Sequence, residues 1–222
     1  MLQAFPTKNG TGISIFGDYG DLQMLYQTIH HFSETLDENR NHQKAQHELL
    51  MNFAYEVRKA VGGQRLVDKF SYSGDNIEHN FYGFQLVWTD IIIFINSLRW
   101  NAGYARSEKL HQAALYLLEY LVEKALFDYD AEGAEKIKPL LERGINVADE
   151  HAFIIYQAVH IKHVSDMPGK KRFRNLPNLL VSHFANWKPE YKNLIASFQQ
   201  SAQEQNCAAT DLEFLDFPEV LW

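Results

Sequence analysis

Residues 80–102 read NFYGFQLVWTDIIIFINSLRWNA, the most apolar stretch of the chain, and they decide its fold. Large apolar side chains alternate with smaller or polar ones over residues 82–88, which is typical of a half-buried β-strand. Over residues 91–102 the apolar positions change to helical spacing. Thr89 and Asp90 stand between the two patterns, and both can accept hydrogen bonds from the first free N–H groups of a helix. The stretch therefore predicts a strand, a helix cap and a buried helix.

This stretch also suits two other structures, a longer β-strand and a membrane-spanning helix. Three consecutive isoleucines, residues 91–93, also suit a β-strand, and periodicity alone does not separate the two structures over so short a run. A membrane-spanning helix needs roughly 20 apolar residues in succession. Asp90, Asn96 and Arg99 interrupt the run before that length, so we expect a soluble chain without a membrane span.

Length and composition favour one folded domain, residues 1–222. A chain of this length can bury a core without metal or disulfide support, and 46% hydrophobic with 14% aromatic residues excludes a disordered chain. A formal net charge of -7 argues against nucleic acid as the main partner, because phosphate binding draws on an excess of Lys and Arg. The single cysteine, Cys207, forms no internal disulfide, and the N-terminus lacks a signal-peptide pattern. We expect a cytoplasmic protein.

The N-terminal half carries further strand patterns. Residues 2–16 predict a hairpin around the turn-forming KNGTG, and a strand at 66–72 leads into the turn signal SGDN. Because short polar connections pair neighbouring strands antiparallel, these hairpins predict one small sheet. The expected fold class is α+β with helices dominant. Its parts are an α+β part at about 1–103, a helical part at about 104–206 and a tail, residues 207–222.

Several residues are predicted to start helices. Ser107 is expected to cap a helix whose apolar stripe runs over residues 110–125. Pro139 is expected to start a short helix, because a proline inside a helix removes a hydrogen bond and clashes with the preceding turn. Pro177 and Pro189 suit the first turn of two further helices.

Histidines and carboxylates at helical spacing suggest a metal site. The candidate ligands are His160, His163, Glu108 and His111. Helical bundles that hold two metal ions duplicate their Glu-x-x-His pairs on facing helices, whereas this chain has only one such pair. Glu119 and Glu123, one turn apart, are predicted on the polar side of their helix. We therefore expect solvated charges and surface or partly buried histidines, and no cofactor.

The sharpest charge feature of this acidic chain is a predicted basic loop at residues 170–174. Lys170, Lys171, Arg172 and Arg174 surround one aromatic residue. Four cations around an aromatic ring could contact a phosphate backbone with a stacked base, or an acidic patch on a protein. The alternative is a solvated loop, and it is favoured because no second basic stripe accompanies this one.

Two segments resemble a known group of proteins. GISIFGDYGDLQMLY at 12–26 and YGFQLVWTDIIIFINSLR at 82–99 are similar to segments of bacterial proteins grouped as a domain of unknown function. The resemblance covers mainly these two strand, cap and helix units, and it carries over no catalytic residues. It implies a bacterial cytoplasmic protein without an assigned activity.

Three functions follow from these patterns. The first is a non-catalytic interaction or assembly protein, because acid-base and metal constellations are incomplete while aromatic residues are plentiful. No Gly-x-Ser-x-Gly motif is present, and Cys207 lies in a polar stretch, so nucleophilic catalysis has little support. The second function is a metal-dependent enzyme that uses the helical His and Glu residues. The third is an anion or nucleic-acid binder that uses residues 170–174.

The tail suggests a partner. It ends in LEFLDFPEVLW, whose aromatic residues Phe214, Phe217 and Trp222 lie in a segment too short to form its own core. Such a segment folds back on its own domain or lies in a groove of a second copy. Because most soluble oligomers are symmetric, we predict a two-fold homodimer.

Overall fold

The computed structural model describes residues 1–70, 78–142 and 144–222. Its strands are β1 (Gln3–Pro6), β2 (Gly12–Gly17), β3 (Leu66–Phe70) and β4 (His79–Val87). Its α-helices are α1 (Tyr19–Ser33), α2 (Asn41–Val61), α3 (Trp88–Ala102), α4 (Lys109–Tyr129), α5 (Ala131–Leu141), α6 (Ala152–Ser165), α7 (Lys170–Arg174), α8 (Leu176–Phe184) and α9 (Pro189–Gln205). The predicted α+β class, with helices dominant and a small antiparallel sheet from the N-terminal half, is confirmed.

The four described strands form one antiparallel sheet in the order β1-β2-β4-β3. The hairpin predicted at residues 2–16 is confirmed as β1 with β2. Strand β2 also pairs with β4, where the fully buried Ile15 lies beside the fully buried Phe84. Strand β3 ends at Phe70, and the predicted extension to residue 72, with the SGDN turn, lies outside the described residues.

The central stretch is a strand followed by a buried helix, as predicted. Strand β4 passes directly into α3, most of whose side chains are buried. Trp88, predicted in the strand, is the first helical residue, and its indole N–H donates a hydrogen bond to Gly10 O (3.1 Å). Asp90 lies in the first turn of the helix but does not cap it. Val87 holds the N-cap position and has no polar side-chain atom with which to cap the helix, while the Asp90 carboxylate is engaged elsewhere.

Two other predicted helix starts are wrong. Ser107 does not cap α4, which begins at Lys109; the Ser107 hydroxyl accepts a hydrogen bond from Gln112 Nε2 (2.9 Å). Pro139 does not start a helix but lies in the last turn of α5, whose apolar face is buried. Burial of that face offsets the hydrogen bond that the proline removes. Both predicted first-turn prolines, in α8 and α9, are confirmed.

One hydrophobic cluster extends from Leu2 to Leu212, and α3 runs through it. Helices α1, α2, α4, α5, α6 and α8 and strands β2 and β4 all contact α3. The Phe94 ring of α3 stacks on Phe53 of α2 with centroids 5.1 Å apart and lies 5.4 Å from Tyr156 of α6. In the described parts of the chain, no helix is long and apolar enough to cross a bilayer.

Candidate functional site

A buried carboxylate–imidazole pair lies where α3 begins. The Asp90 carboxylate is 4% exposed and accepts hydrogen bonds from His160 Nδ1, with distances of 3.0 and 2.9 Å to its two oxygens. It also accepts from the Thr89 hydroxyl at 3.1 Å and from the Tyr156 hydroxyl at 3.5 Å. Tyr156 and His160 face α3 together because they are one turn apart on α6.

The surroundings of this pair favour its charged form. Burial lowers the pKa of His160, but the Asp90 carboxylate outweighs burial by attraction and hydrogen bonding together, so that the pKa lies above the ordinary 6.5. Burial and the same carboxylate hold the pKa of Tyr156 well above its ordinary value. A carboxylate that orients an imidazole can serve acid-base chemistry. Within the described residues, however, no Ser, Thr or Cys side chain is hydrogen-bonded to His160.

A cavity of about 240 Å³ lies beside the pair. Asn52 and Glu56 of α2 and Gln85 of β4 contribute polar groups to its wall. Val220 and Trp222 of the tail contribute apolar groups. The tail is therefore part of the wall of this cavity.

The tail lies across α6 and α9. The backbone N–H of Phe214 donates a hydrogen bond to Gln157 Oε1 (3.0 Å), and the Phe214 ring packs edge-on against Phe198 with centroids 6.1 Å apart. The Phe217 ring packs edge-on against His160 at 5.6 Å. We call the surface formed by Thr11, Gln157, His160 and Phe198 the tail groove.

The far end of the tail groove rests on a buried arginine. The Thr11 hydroxyl donates a hydrogen bond to Leu221 O of the tail and accepts one from Arg172 Nη2 (2.7 Å). Arg172 is 7% exposed, and its Nη1 also donates to His163 O (3.0 Å) and Asp166 O (2.8 Å). The chain thus uses one buried cation to join the turn before β2, the end of α6 and the tail.

His163 belongs to the same network. Its Nε2 lies 3.2 Å from Thr11 O, and its Nδ1 is buried without a hydrogen-bond partner in the described structure. Burial, and secondly the positive charge of Arg172, lower the pKa of His163 to about 4. The imidazole is therefore neutral at ordinary pH.

The model of a family described as a domain of unknown function, DUF6904, matches residues 2–222. The chain belongs to the DUF6904 family. No curated protein and no solved structure matches it. The predicted membership of an uncharacterised family is thereby confirmed, and the match includes the tail as well as the body of this DUF6904 protein.

The DUF6904 chain does not bring its four candidate metal ligands together. His160 faces Asp90, whereas His163 faces Thr11 O. The His111 ring stacks on His31 with centroids 4.1 Å apart, and Glu108 is exposed at the N-cap of α4. In residues 1–70, 78–142 and 144–222, no group of three or more His, Cys, Asp and Glu side chains is arranged to hold a metal ion.

The prediction that Glu119 lies on a solvated helix side is wrong. Its side chain is buried between α3 and α4, where it accepts hydrogen bonds from Arg99 Nε (2.8 Å) and Nη2. Burial raises the pKa of Glu119, and the Arg99 guanidinium opposes that rise. Glu123, one turn further along, is partly exposed and pairs with Lys138 (3.5 Å).

The basic loop predicted at residues 170–174 is the short helix α7 instead. Arg174 makes two hydrogen bonds to Asp130, at 2.6 and 2.9 Å, and Lys170 lies 3.3 Å from the same carboxylate. Those bonds, led by the one from Arg174, hold the pKa of Asp130 well below its ordinary range. Lys171 is exposed. Lys170, Arg172 and Arg174 therefore all bond to other parts of the chain, although only Arg172 is buried.

The aromatic residue of that cluster is also internal. Phe173 is fully buried, with its ring 5.5 Å from Trp88 and 4.9 Å from Tyr129. It is not available to stack on a base. Apolar packing of Phe173 turns one side of the cluster inward, and Asp130 and Glu132 pair with Lys170 and Arg174 on the other side.

Sequence patterns did not identify the pairing of Asp90 with His160 or the contribution of Tyr156. Asp90 and His160 are 70 positions apart, so no local spacing connects them. Tyr156 and His160 are four residues apart in the sequence, and this spacing predicts that both side chains lie on one side of α6. It did not show which helix that side would face.

Proposed function

We propose that this chain is a non-catalytic bacterial, cytoplasmic interaction protein that binds extended, acidic, aromatic peptide segments in the tail groove. The observation that supports the proposal is the conformation of its own tail. Beyond the 3₁₀ turn (Ala209–Asp211), the tail runs without regular secondary structure. Leu212 is its one buried residue. A segment that lies on the surface in this way resembles a bound peptide more than a core element.

The contacts of the tail have the form of peptide recognition. Backbone groups at both ends are bound, the Phe214 N–H by Gln157 and Leu221 O by Thr11. Between them the Phe217 ring packs on His160. In recognition of extended peptides, backbone hydrogen bonds supply affinity and side-chain contacts supply specificity. The tail groove offers both.

Charge favours an acidic segment. The tail carries four carboxylates, Asp211, Glu213, Asp216 and Glu219. Lys44 donates a hydrogen bond to Asp211 (2.7 Å) and so places a positive charge beside the start of the tail. Because exposed charges add little affinity, we assign them mainly to orientation and selectivity.

Titration of a labelled peptide of residues 211–222 into a chain truncated after Thr210 tests the proposal. Circular dichroism first establishes that the truncated chain is folded. We expect saturable binding by fluorescence anisotropy. A peptide with Phe217→Ala should bind about tenfold more weakly, since aromatic anchors supply much of the energy of such interfaces. A peptide with Leu215→Ala is the matched control, because Leu215 is 92% exposed.

Two results would overturn the proposal. A truncated chain that does not fold would make the tail an integral part of the domain. A folded truncated chain that does not bind the peptide would show that the tail groove is not a binding surface. Equal binding of the Phe217→Ala and Leu215→Ala peptides would show the same.

The predicted homodimer follows from the same surface. Helix α9 ends at Asn206 in the left-handed conformation (φ 52°), and the next residue, Cys207, is exposed. A tail that leaves its own groove there and enters that of a second copy would give a two-fold dimer with exchanged tails. Light scattering should then find a dimer for the full chain and a monomer after truncation. A full chain that stays monomeric over a wide concentration range contradicts the dimer.

The other two functions draw less support. The metal-dependent enzyme needs the candidate histidines and glutamates to converge, and they face different partners. The anion binder needs free cations, and Arg172 and Arg174 are engaged within the protein. Metal analysis of untagged protein and salt-dependent oligonucleotide binding test these two functions.

A further inference from the structure

A cavity of about 350 Å³ lies beside the first residues of the tail, and we call it the Glu48 cavity. Tyr26 of α1, Met51 of α2 and Phe153 of α6 are half-buried and form an apolar part of its wall. Glu48 of α2 and Glu213 of the tail contribute carboxylates to it. The tail therefore borders this cavity without filling it.

The tail places like charges at the Glu48 cavity. Burial raises the pKa of Glu48, Lys44 opposes that rise, and Glu213 adds to it by repulsion. Lys44 lies 4.0 Å from the Glu48 carboxylate but donates a hydrogen bond to Asp211 at 2.7 Å. Glu213 is exposed, and within the described part of the chain its carboxylate makes no hydrogen bond or ion pair. Glu213 is therefore a poor match for the cavity that it borders.

The cation at the other end of the cavity, Arg58, does little to offset this repulsion. Its guanidinium lies over the Tyr55 ring, 5.4 Å from the centroid. Arg58 follows Glu48 by ten positions on α2, which corresponds to about 15 Å of helix. Charges in contact with water are largely screened beyond about 8 Å at physiological salt. The end of the cavity beside the tail therefore favours a cationic side chain.

We propose that the tail groove, with the adjoining Glu48 cavity, selects partner segments that carry arginine or lysine at the position of Glu213. This inference rests on the proposed function and specifies the chemistry of the partner. The methylene groups of a long basic side chain can lie along Tyr26, Met51 and Phe153. Its charge then reaches Glu48. Because Glu213 makes neither contact, the tail is a weaker occupant than such a segment, which can displace it.

Hydrogen exchange of the Phe214 amide in the full chain tests the proposal. This N–H donates to Gln157 Oε1 (3.0 Å), so its protection reports how often the tail leaves the groove. NMR measures protection relative to the free peptide of residues 211–222 with the same substitution, which corrects for effects of neighbouring side chains. Glu213→Gln, which removes only the repulsion, should raise protection about twofold, and Glu213→Arg, which adds attraction, about fivefold.

Two further variants separate a local effect from a general one. Asp216→Arg makes the same change of charge on an exposed residue that lines neither the Glu48 cavity nor the cavity beside Asp90, and it should leave protection nearly unchanged. In a Glu48→Gln chain, the gain from Glu213→Arg should fall to about twofold or less, because its carboxylate partner is absent.

Three outcomes overturn the proposal: no gain from Glu213→Arg, an equal gain from Asp216→Arg, or a gain from Glu213→Arg that Glu48→Gln leaves unchanged. If Glu48→Gln does not fold, the first two comparisons still decide the matter. These results are distinct from the peptide titration of the truncated chain. A truncated chain that binds the peptide, with a full chain that shows no preference at residue 213, would overturn only the selection of a basic residue.

Discussion

Replacing Asp90 by alanine should destabilise the protein more than loss of a helix cap does. Asp90 does not cap α3; it is a buried carboxylate with His160 Nδ1 at 2.9 and 3.0 Å. Removal of one partner from a buried ion pair costs about 3–5 kcal/mol, whereas removal of an N-cap side chain costs about 0.5–2 kcal/mol. We expect Asp90→Ala to fall in the first range where His160 is protonated in the parent protein.

The cost should depend on pH, and the sign follows from the two effects on His160. In the parent protein the pKa of His160 is raised, so its contribution to stability is present below pH 6.5 and is lost as the pH rises through the raised pKa. Without Asp90, burial alone acts and lowers that pKa, so protonation then opposes folding. The difference between parent and Asp90→Ala should therefore be larger near about pH 5.5 than near about pH 8.5.

Urea unfolding followed by circular dichroism at both pH values measures these costs. Asp18→Ala is the control, because Asp18 is an exposed aspartate that does cap a helix, accepting a hydrogen bond from Asp21 N (2.8 Å) at the start of α1. An Asp90→Ala variant no less stable than Asp18→Ala at either pH would refute the assignment of Asp90 to a buried pair. An equal cost at the two pH values would refute the role of His160 in it.

Three further variants test other buried groups. The pKa of His163 is about 4 in the folded chain against 6.5 ordinarily, so stability should fall by about 3 kcal/mol as the pH falls through that window. His163→Gln should remove that loss of stability. Free energies of unfolding of the parent and the variant, compared as the pH is lowered, measure the difference. Glu119→Ala should cost about 1–3 kcal/mol in urea unfolding, because it leaves the partly buried Arg99 without its carboxylate, against about 0–1 kcal/mol for the partly exposed Glu123→Ala. Arg172→Lys should lower the melting temperature nearly as much as Arg172→Met, since a lysine does not reproduce the forked contacts; full stability of the lysine variant would contradict this.

The fold could be predicted where its signals are local. Residues 80–102 carry both periods, of two and of 3.6 residues, and the structure places a strand and a helix at the expected change between them. The hairpin at residues 2–16 is predictable in the same way, because its turn residues and flanking apolar residues are adjacent in the sequence. These elements needed no knowledge of distant contacts.

Helix ends and charges were less predictable because distant residues decide them. Pro139 stays inside α5 because the helix face around it is buried. The spacing of Glu119 predicts a polar helix face, but Arg99, 20 positions away, packs against it in the structure. The cluster at residues 170–174 gives the pattern of a free basic loop, but Asp130 and Thr11, 44 and 161 positions from their partners, bind its arginines.

The candidate site was the least predictable part for the same reason. Its groups come from the turn before β2, α3, α6, α9 and the tail. Each group alone has a common interpretation, such as a turn residue, a cap or a surface histidine. The aromatic residues of the tail indicate a segment that needs apolar cover. Its position over His160 depends on contacts between residues that are 57 or more positions apart, such as Phe214 with Gln157.

The binding of an acidic, aromatic segment in the tail groove is tested most directly by NMR on the truncated chain. Amide signals of Thr11, Gln157 and His160 are followed in ¹H–¹⁵N spectra as the peptide of residues 211–222 is added. The account predicts that these signals move saturably to their positions in the full chain, while those of α4 stay in place. Signals that stay fixed at saturating peptide, or that move on α4 instead, would contradict it.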